Sequence, residues 1–150
     1  MELNYKNISG LLNTKLSAIT DGASPTPHTV IHEVHEYGES SFGGYPACVI
    51  IKKTGTGEMI DTKRIQRTWM FDVILYQEQS AVGKSQSEAD EAMTDVVDRV
   101  TKSFDQDPDL NGQVMRVLIV GVELDYTVRS GTFNFAKFSI RVEGIVPNYT

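Results

Sequence analysis

Between Ile8 and Ile19 the apolar residues Ile8, Leu11, Leu12, Leu16 and Ile19 recur every three or four positions. That spacing puts them on one stripe of a helix, with Lys15 facing water. Asn7 is in place to cap its start, and Asp21-Gly22, followed by Pro25 and Pro27, marks its end. A second stripe runs through Ala89, Ala92, Met93, Val96, Val97, Val100 and Phe104 and predicts a helix over Ser87–Phe104. Ser87 and Asp90 resemble a capping box. Glu88, Asp90 and Glu91 in the first turn, with Arg99 and Lys102 near the end, suit the helix dipole.

Elsewhere the period is two. Pro46–Lys53, with Ala47-Cys48-Val49-Ile50-Ile51 at its centre, predicts a strand, and Gly55-Thr56-Gly57 predicts the turn after it. Lys63–Gln77 predicts a longer strand with Trp69, Phe71, Val73 and Leu75 on one face and Met70, Asp72, Ile74 and Tyr76 on the other. Both faces are largely apolar, which suits a central strand or one that meets a partner. Val114–Val128 and Thr132–Val146, separated by Arg129-Ser130-Gly131, predict an antiparallel hairpin with its tip near Tyr126–Phe135. Ala23–Tyr45 is rich in Pro, Gly, Ser and Thr and has room for only a short strand within Thr29–Tyr37. A long irregular stretch of this kind predicts a functional loop or a partner-contacting arm. The order helix, loop, strand, strand, helix, strand, strand predicts an α+β fold: a largely antiparallel sheet, two helices packed on one face and a long C-terminal β-hairpin.

The chain has 150 residues, 14 basic and 20 acidic, for a net charge of −6. That length suits a single domain. At 16.7 kDa the folded surface should be roughly 7,600 Å² against roughly 24,000 Å² extended, enough burial for a core without staples. One cysteine, Cys48, excludes an internal disulfide and cannot build a zinc site alone. The N-terminus lacks the basic-then-apolar pattern of a signal peptide, and the apolar runs are too short to span a membrane. The acidic balance argues against nucleic acid as the main partner, because phosphate binding needs clustered Lys and Arg.

No pattern of catalytic residues emerges. His32-Glu33-Val34-His35 places two histidines three apart in an extended segment, whereas the zinc-protease pattern needs four on a helix. Asp105, Asp107 and Asp109 imitate the start of a calcium loop. Leu110 occupies the Gly position, however, and Arg116 the closing Glu position. Gly55-Thr56-Gly57 is too short to cradle phosphate. Cys48 sits in an apolar strand and reads as buried and inert. No catalytic, metal or cofactor-binding residues are assigned, and no cofactor is expected.

One feature stands out. Two helices cover one face of a sheet, so Trp69/Phe71 and Met70/Ile74 cannot all be covered by them, and Tyr126, Phe133 and Phe135 add to the apolar surplus. Apolar surface left over on a sheet points to self-association.

The opening helix Ile8–Ile19, the Gly44-Tyr45-Pro46-Ala47 entry into Cys48–Ile51 and the strand Trp69–Gln77 form the first half of a broader pattern. The helix Ser87–Phe104 and Leu110-Asn111-Gly112 before the paired strands Val114–Val128 and Phe133–Val146 complete it. In this pattern the chain resembles the tail terminator (tail completion) proteins of long-tailed bacteriophages. The resemblance spans nearly the whole chain and rests on no single motif. It implies a structural virion protein without enzymatic activity, at the head-proximal end of the tail. Such proteins form a ring, typically hexameric, that stops polymerisation of the major tail tube protein and presents a docking surface to head completion or neck proteins. DNA passes through the ring without sequence-specific binding. It also implies where contacts should lie: the Ala23–Tyr45 arm, the Gly55–Arg67 region and the Arg129–Phe135 tip. The expected contact residues are Phe42, Tyr45, Arg64, Arg67, Trp69, Tyr126, Arg129, Phe133 and Phe135. The arginines would pair with acidic groups, and Tyr45, Trp69 and Phe133 would act as buried anchors. Two other readings suit the same sequence. One is a head–tail connector or neck ring of the same assembly. The other is a monomeric enzyme or ligand-binding domain with a pocket under the Ala23–Tyr45 loop, using His32, His35 and Tyr37.

Overall fold

Asn4 starts the first helix. Its side chain accepts a hydrogen bond of 2.8 Å from the Asn7 N–H, filling one of the donors a helix start leaves unpaired. Helix α1 (Tyr5–Ser17) therefore begins before Asn7, the cap expected from periodicity. It ends at Ser17, yet Ile19 remains buried beyond it. Gly22, at φ 68°, turns the chain away. The structure, a computed structural model, describes residues 2–38, 41–78, 86–125 and 133–147.

The other elements are β1 (Glu33–His35), β2 (Ala47–Met59), β3 (Arg64–Glu78), α2 (Gln86–Asp105), β4 (Arg116–Asp125) and β5 (Phe133–Pro147). They form one five-stranded sheet in the order β1-β2-β3-β5-β4. β1 and β2 are parallel and every other pairing is antiparallel, so the fold is α+β with a mixed, mostly antiparallel sheet. The long strand expected to be central, β3, is central. The C-terminal strands pair as expected, and the expected tip between them lies outside the described residues.

Alternation decides which face is buried. Cys48 and Ile50 of β2, Trp69, Phe71, Val73 and Leu75 of β3, and Ala136, Phe138, Ile140 and Val142 of β5 share one face and are all buried. They form a single core with Ile8, Leu12 and Leu16 of α1 and with Met93, Val96, Val97, Val100 and Phe104 of α2. Both helices thus cover the same face. Lys15 ties them together, bonding Asp107 beyond α2 at 3.0 Å rather than facing water, and the Arg99 Nη1 donates to the Thr20 carbonyl at 3.3 Å.

Two further expectations are corrected. Gly55-Thr56-Gly57 is not a turn. β2 runs through it to Met59, with a register shift between Lys53 and Thr56. A Cβ on Gly55 would lie 2.5 Å from the Thr68 carbonyl oxygen and 2.6 Å from the Tyr5 hydroxyl, so the glycine permits a close approach rather than a reversal. The reversal falls at Ile60–Lys63, where the Asp61 Oδ1 accepts from the N–H groups of Lys63 and Arg64 at 2.8 Å each. Ser87 does not cap α2, which already includes Gln86. The described part of the Ala23–Tyr45 arm is tied down. A Thr20–Thr29 bridge closes its first turn, the Asp21 carboxylate accepts from Ala23 and His28 N–H groups, Ile31 is buried, and β1 adds an edge to the sheet.

Candidate functional site

Among the described residues, β4 is the sheet edge opposite β1 and pairs with β5 alone. One extra residue near Val120 shifts its register between Ile119 and Gly121. Such a bulge reverses the alternation downstream. Val122 and Leu124, which simple alternation places with Leu118, instead stand opposite Phe138 and Ala136 on the helix-covered side. They are still 42 % and 45 % exposed, and Leu118 and Val120 are 38 % and 45 % exposed. Edge strands usually carry charges, prolines or short lengths that block pairing with another chain. β4 has ten residues and no proline. It carries Arg116, Glu123 and Asp125 and the bulge near Val120, and it is far longer than the three-residue β1 at the other edge.

Among the described residues, no element covers the centre of the face away from the helices. Charges there form two clamps. Asp72 lies 3.7 Å from the Lys53 Nζ and 3.5 Å from the Lys137 Nζ. Glu143 lies 2.9 Å from the Arg116 Nε and 3.6 Å from the Arg141 Nε. At one end of this face the segment after β1 folds over the sheet. There the ring of Phe42 lies 5.7 Å from His35, 5.9 Å from Tyr45 and 5.2 Å from Tyr76. Tyr76 in turn lies 6.5 Å from Phe135, its partner in the β3–β5 ladder. Tyr37 extends the cluster beside His35 and is 61 % exposed. At the other end Met59, Ile60 and Ile145 are exposed at 63 %, 44 % and 42 %.

Charge is unevenly spread. Positions 86–109 hold eight acidic and two basic residues, an excess equal to the net charge of the whole chain. Positions 54–67, the far end of the β2–β3 hairpin, hold three basic and two acidic residues, with Arg64 paired to Asp61. Arg99 bonds toward α1, and Glu91, Asp98 and Asp105 of α2 are exposed.

The structure brings together only some of the residues expected at a contact surface. Phe42, Tyr45 and Phe135 are half-buried in or beside the aromatic cluster. Arg64 grips its own turn through the Asp61 carboxylate, at 3.0 and 2.9 Å. Arg67 is exposed and lies over Gly57. Trp69 is 6 % exposed and belongs to the core. It packs beside Gly144, where a Cβ would meet Leu3 Cδ1 at 2.7 Å and the Trp69 ring at 3.2 Å. Trp69 is therefore no surface anchor. Phe133 opens β5 opposite Glu78, and its side chain lies outside the described part, as do Tyr126 and Arg129 altogether. Sequence reasoning missed His35 and Tyr76 in the cluster, because only the strand order brings Tyr76 beside Phe135.

The candidate chemical groups are held in structural bonds. The His35 Nε2 lies 3.0 Å from the Glu33 Oε1. That bond, reinforced by the Gly43 N–H, holds the Glu33 carboxyl below its usual range. The Asp107 Oδ1 accepts from the Asn111 N–H at 2.7 Å and its Oδ2 meets Lys15, which together keep it ionised to lower pH. The Asp109 Oδ1 caps Gly112 at 3.1 Å. Among the described residues, no three His, Cys, Asp or Glu side chains converge in a way that could hold a metal ion. Cys48 is fully buried, and desolvation raises its thiol far above the usual range, so it is a poor nucleophile. A cleft of about 390 Å³ lies between the ends of α1 and α2, near Arg99 and Lys102. Another of about 360 Å³ lies between α1 and Leu110. Neither is lined by His32, His35 or Tyr37. No helix among the described residues is long and apolar enough to cross a membrane. In comparisons with known proteins, no family model matches the chain, and no curated protein matches it.

Proposed function

We propose that this chain is a structural ring-forming protein at the head-proximal end of a long phage tail, a tail terminator. Copies assemble into a ring, on the order of a hexamer, on the last ring of tube protein. The ring ends tube growth and presents its other face to the head completion or neck protein. The observation that carries this reading is the β4 edge, where Leu118, Val120, Val122 and Leu124 are exposed among the described residues, in a chain whose pattern resembles the terminator family. Fully burying one Leu or Val contributes about 1.5–3 kcal/mol. Covering the exposed remainder of Leu118, Val120, Val122 and Leu124 would thus supply roughly 3–5 kcal/mol per copy. That is enough to bias assembly without holding a free pair of copies tightly.

Capping follows from asymmetry. A ring whose tube-facing side matches the tube, and whose far side does not, offers the next tube ring no edge to extend. DNA would pass through the ring held off by its acidic groups.

Electron microscopy of lysates from phage lacking this protein tests the reading. The expected result is abnormally long tubes without heads. Tails of normal length that fail to join heads would instead place the protein among connector rings. Normal infectious particles would refute both.

A further inference from the structure

We infer that Asn111 is a modification site, converting to aspartate and isoaspartate without an enzyme, and that Asp109 holds it inert while its turn is closed. The chemistry belongs to the chain's own backbone and does not depend on ring formation.

Asn111 is followed by glycine, and no other asparagine of the chain is. Glycine has no side chain to keep its backbone nitrogen from the residue before it. The reaction needs that access. The Gly112 nitrogen loses its proton, and the freed electron pair attacks the Asn111 Cγ. The new N–Cγ bond closes a succinimide ring, the Cγ–Nδ2 bond breaks, and Nδ2 takes up a proton and leaves as ammonia. Water then opens the ring. Attack at Cγ leaves aspartate, and attack at the main-chain carbonyl leaves isoaspartate. Nothing is oxidised or reduced, and water is the only co-reactant. Asn111 and Gly112 are both exposed, and a Cβ on Gly112 would meet nothing within 4 Å, so solvent reaches the reacting atoms.

The closed turn blocks the first step. The Gly112 N–H donates to the Asp109 Oδ1 at 3.1 Å. The electron pair left by that proton would point along the same line, at a carboxylate oxygen instead of the Asn111 Cγ. A carboxylate there also opposes loss of the proton. The Asn111 N–H is held in the same way by the Asp107 Oδ1, at 2.7 Å. Leu110, Asn111 and Gly112 stand at φ 49°, 58° and 80°, a left-handed run that an opened chain does not keep. Buried Leu110 and Val114 anchor it. Conversion therefore proceeds through the opened turn, at a rate set by how often the turn opens.

The product cannot re-form the turn it came from. Isoaspartate lengthens the main chain by one carbon, and either product adds a carboxylate beside Asp107 and Asp109. The turn leads directly into β4. The Val117 N–H donates to the Pro108 carbonyl at 2.6 Å, and the Met115 N–H to the Glu143 carbonyl at 2.9 Å. Lys15 joins the same loop to α1 through Asp107. Each opening thus risks an irreversible mark at the start of β4.

The test incubates the full chain in mildly alkaline buffer, folded and in urea, and follows the tryptic peptide 103–116 by mass spectrometry with separation of aspartate from isoaspartate. In urea Asn111 should be the first asparagine to convert. In the folded chain its conversion should be at least about 10-fold slower. Asp109→Ala removes the acceptor and should speed conversion in the folded chain about 3–10-fold while leaving the rate in urea unchanged. Circular dichroism checks that this variant is folded. Equal rates in the folded and unfolded parent would overturn the guard, as would a folded Asp109→Ala chain that converts no faster. If that variant does not fold, hydrogen exchange of the parent's Gly112 amide decides: protection supports the guard, and exchange at the unfolded rate overturns it. An Asn111 that stays unmodified in urea while other asparagines convert would overturn the site itself.

Discussion

Trp69 is buried from two directions: α-helical side chains cover its strand face, and Leu3 closes over it beside Gly144. Truncating a buried aromatic leaves a cavity that its neighbours fill only partly. Trp69→Ala is expected to cost about 3–5 kcal/mol in urea unfolding, whereas Arg67→Ala, exposed one turn of the pleat away, should stay within about 0.5 kcal/mol. Equal losses at the two sites would contradict this packing. Three carboxylates behave differently. Backbone N–H groups aimed at Asp21 and Asp61, and the Asn111 N–H and Lys15 at Asp107, hold their pKa values below the ordinary range. In the unfolded chain each returns to about 3.9. Their folded values are depressed, so their contribution to stability is fully present above about pH 4 and fades as pH falls through the lowered values. The amides of Ala23, His28, Lys63, Arg64 and Asn111 should then lose protection from hydrogen exchange as pH drops from about 4 toward 2. Protection that stays constant across that window would show that the carboxylates do not hold these turns.

At the scale of elements, what patterning reveals depends on whether one residue can change the outcome. The two helices, the central strand and the paired C-terminal strands were legible because five or more apolar positions repeat the same period. β2 was foreshortened because Gly55 and Gly57 look like a turn, when Gly55 accommodates Tyr5 and Thr68. β1 falls within Thr29–Tyr37, where a short strand was expected, but three residues carry no period that could fix its bounds or its parallel pairing with β2. The facing of Val122 and Leu124 was inverted by a single bulge residue. The surplus of apolar surface was legible, yet its place on the β4 edge was not, since nothing local marks a strand as the last in its sheet. Lysine on an edge discourages pairing with another chain. Leu118→Lys together with Val120→Lys should therefore weaken self-association while moving the thermal midpoint by no more than about 2–4 °C. Differential scanning calorimetry beside light scattering checks both halves. A collapse of the midpoint would mean these side chains serve the monomer's own core.

For the molecule as a whole, charge and topology act on different problems. The acidic excess over 86–109 equals the net charge of the whole chain, so the rest of the molecule is balanced. The topology also gives it a schedule. β3 pairs along its entire length with β5, Arg64 opposite Pro147 and Glu78 opposite Phe133, although α2 and β4 lie between them in sequence. On the ribosome β3 is finished long before its main partner exists. At about 5–20 residues per second, its ladder groups on that side stay unsatisfied for several seconds. The N-terminal half can form α1 and the β2–β3 hairpin meanwhile, but the sheet cannot close until β5 is made. β5 thus commits the sheet to its fold. It lies between β3 and β4 and pairs with both, so the closed sheet and its β4 edge arise in the same step.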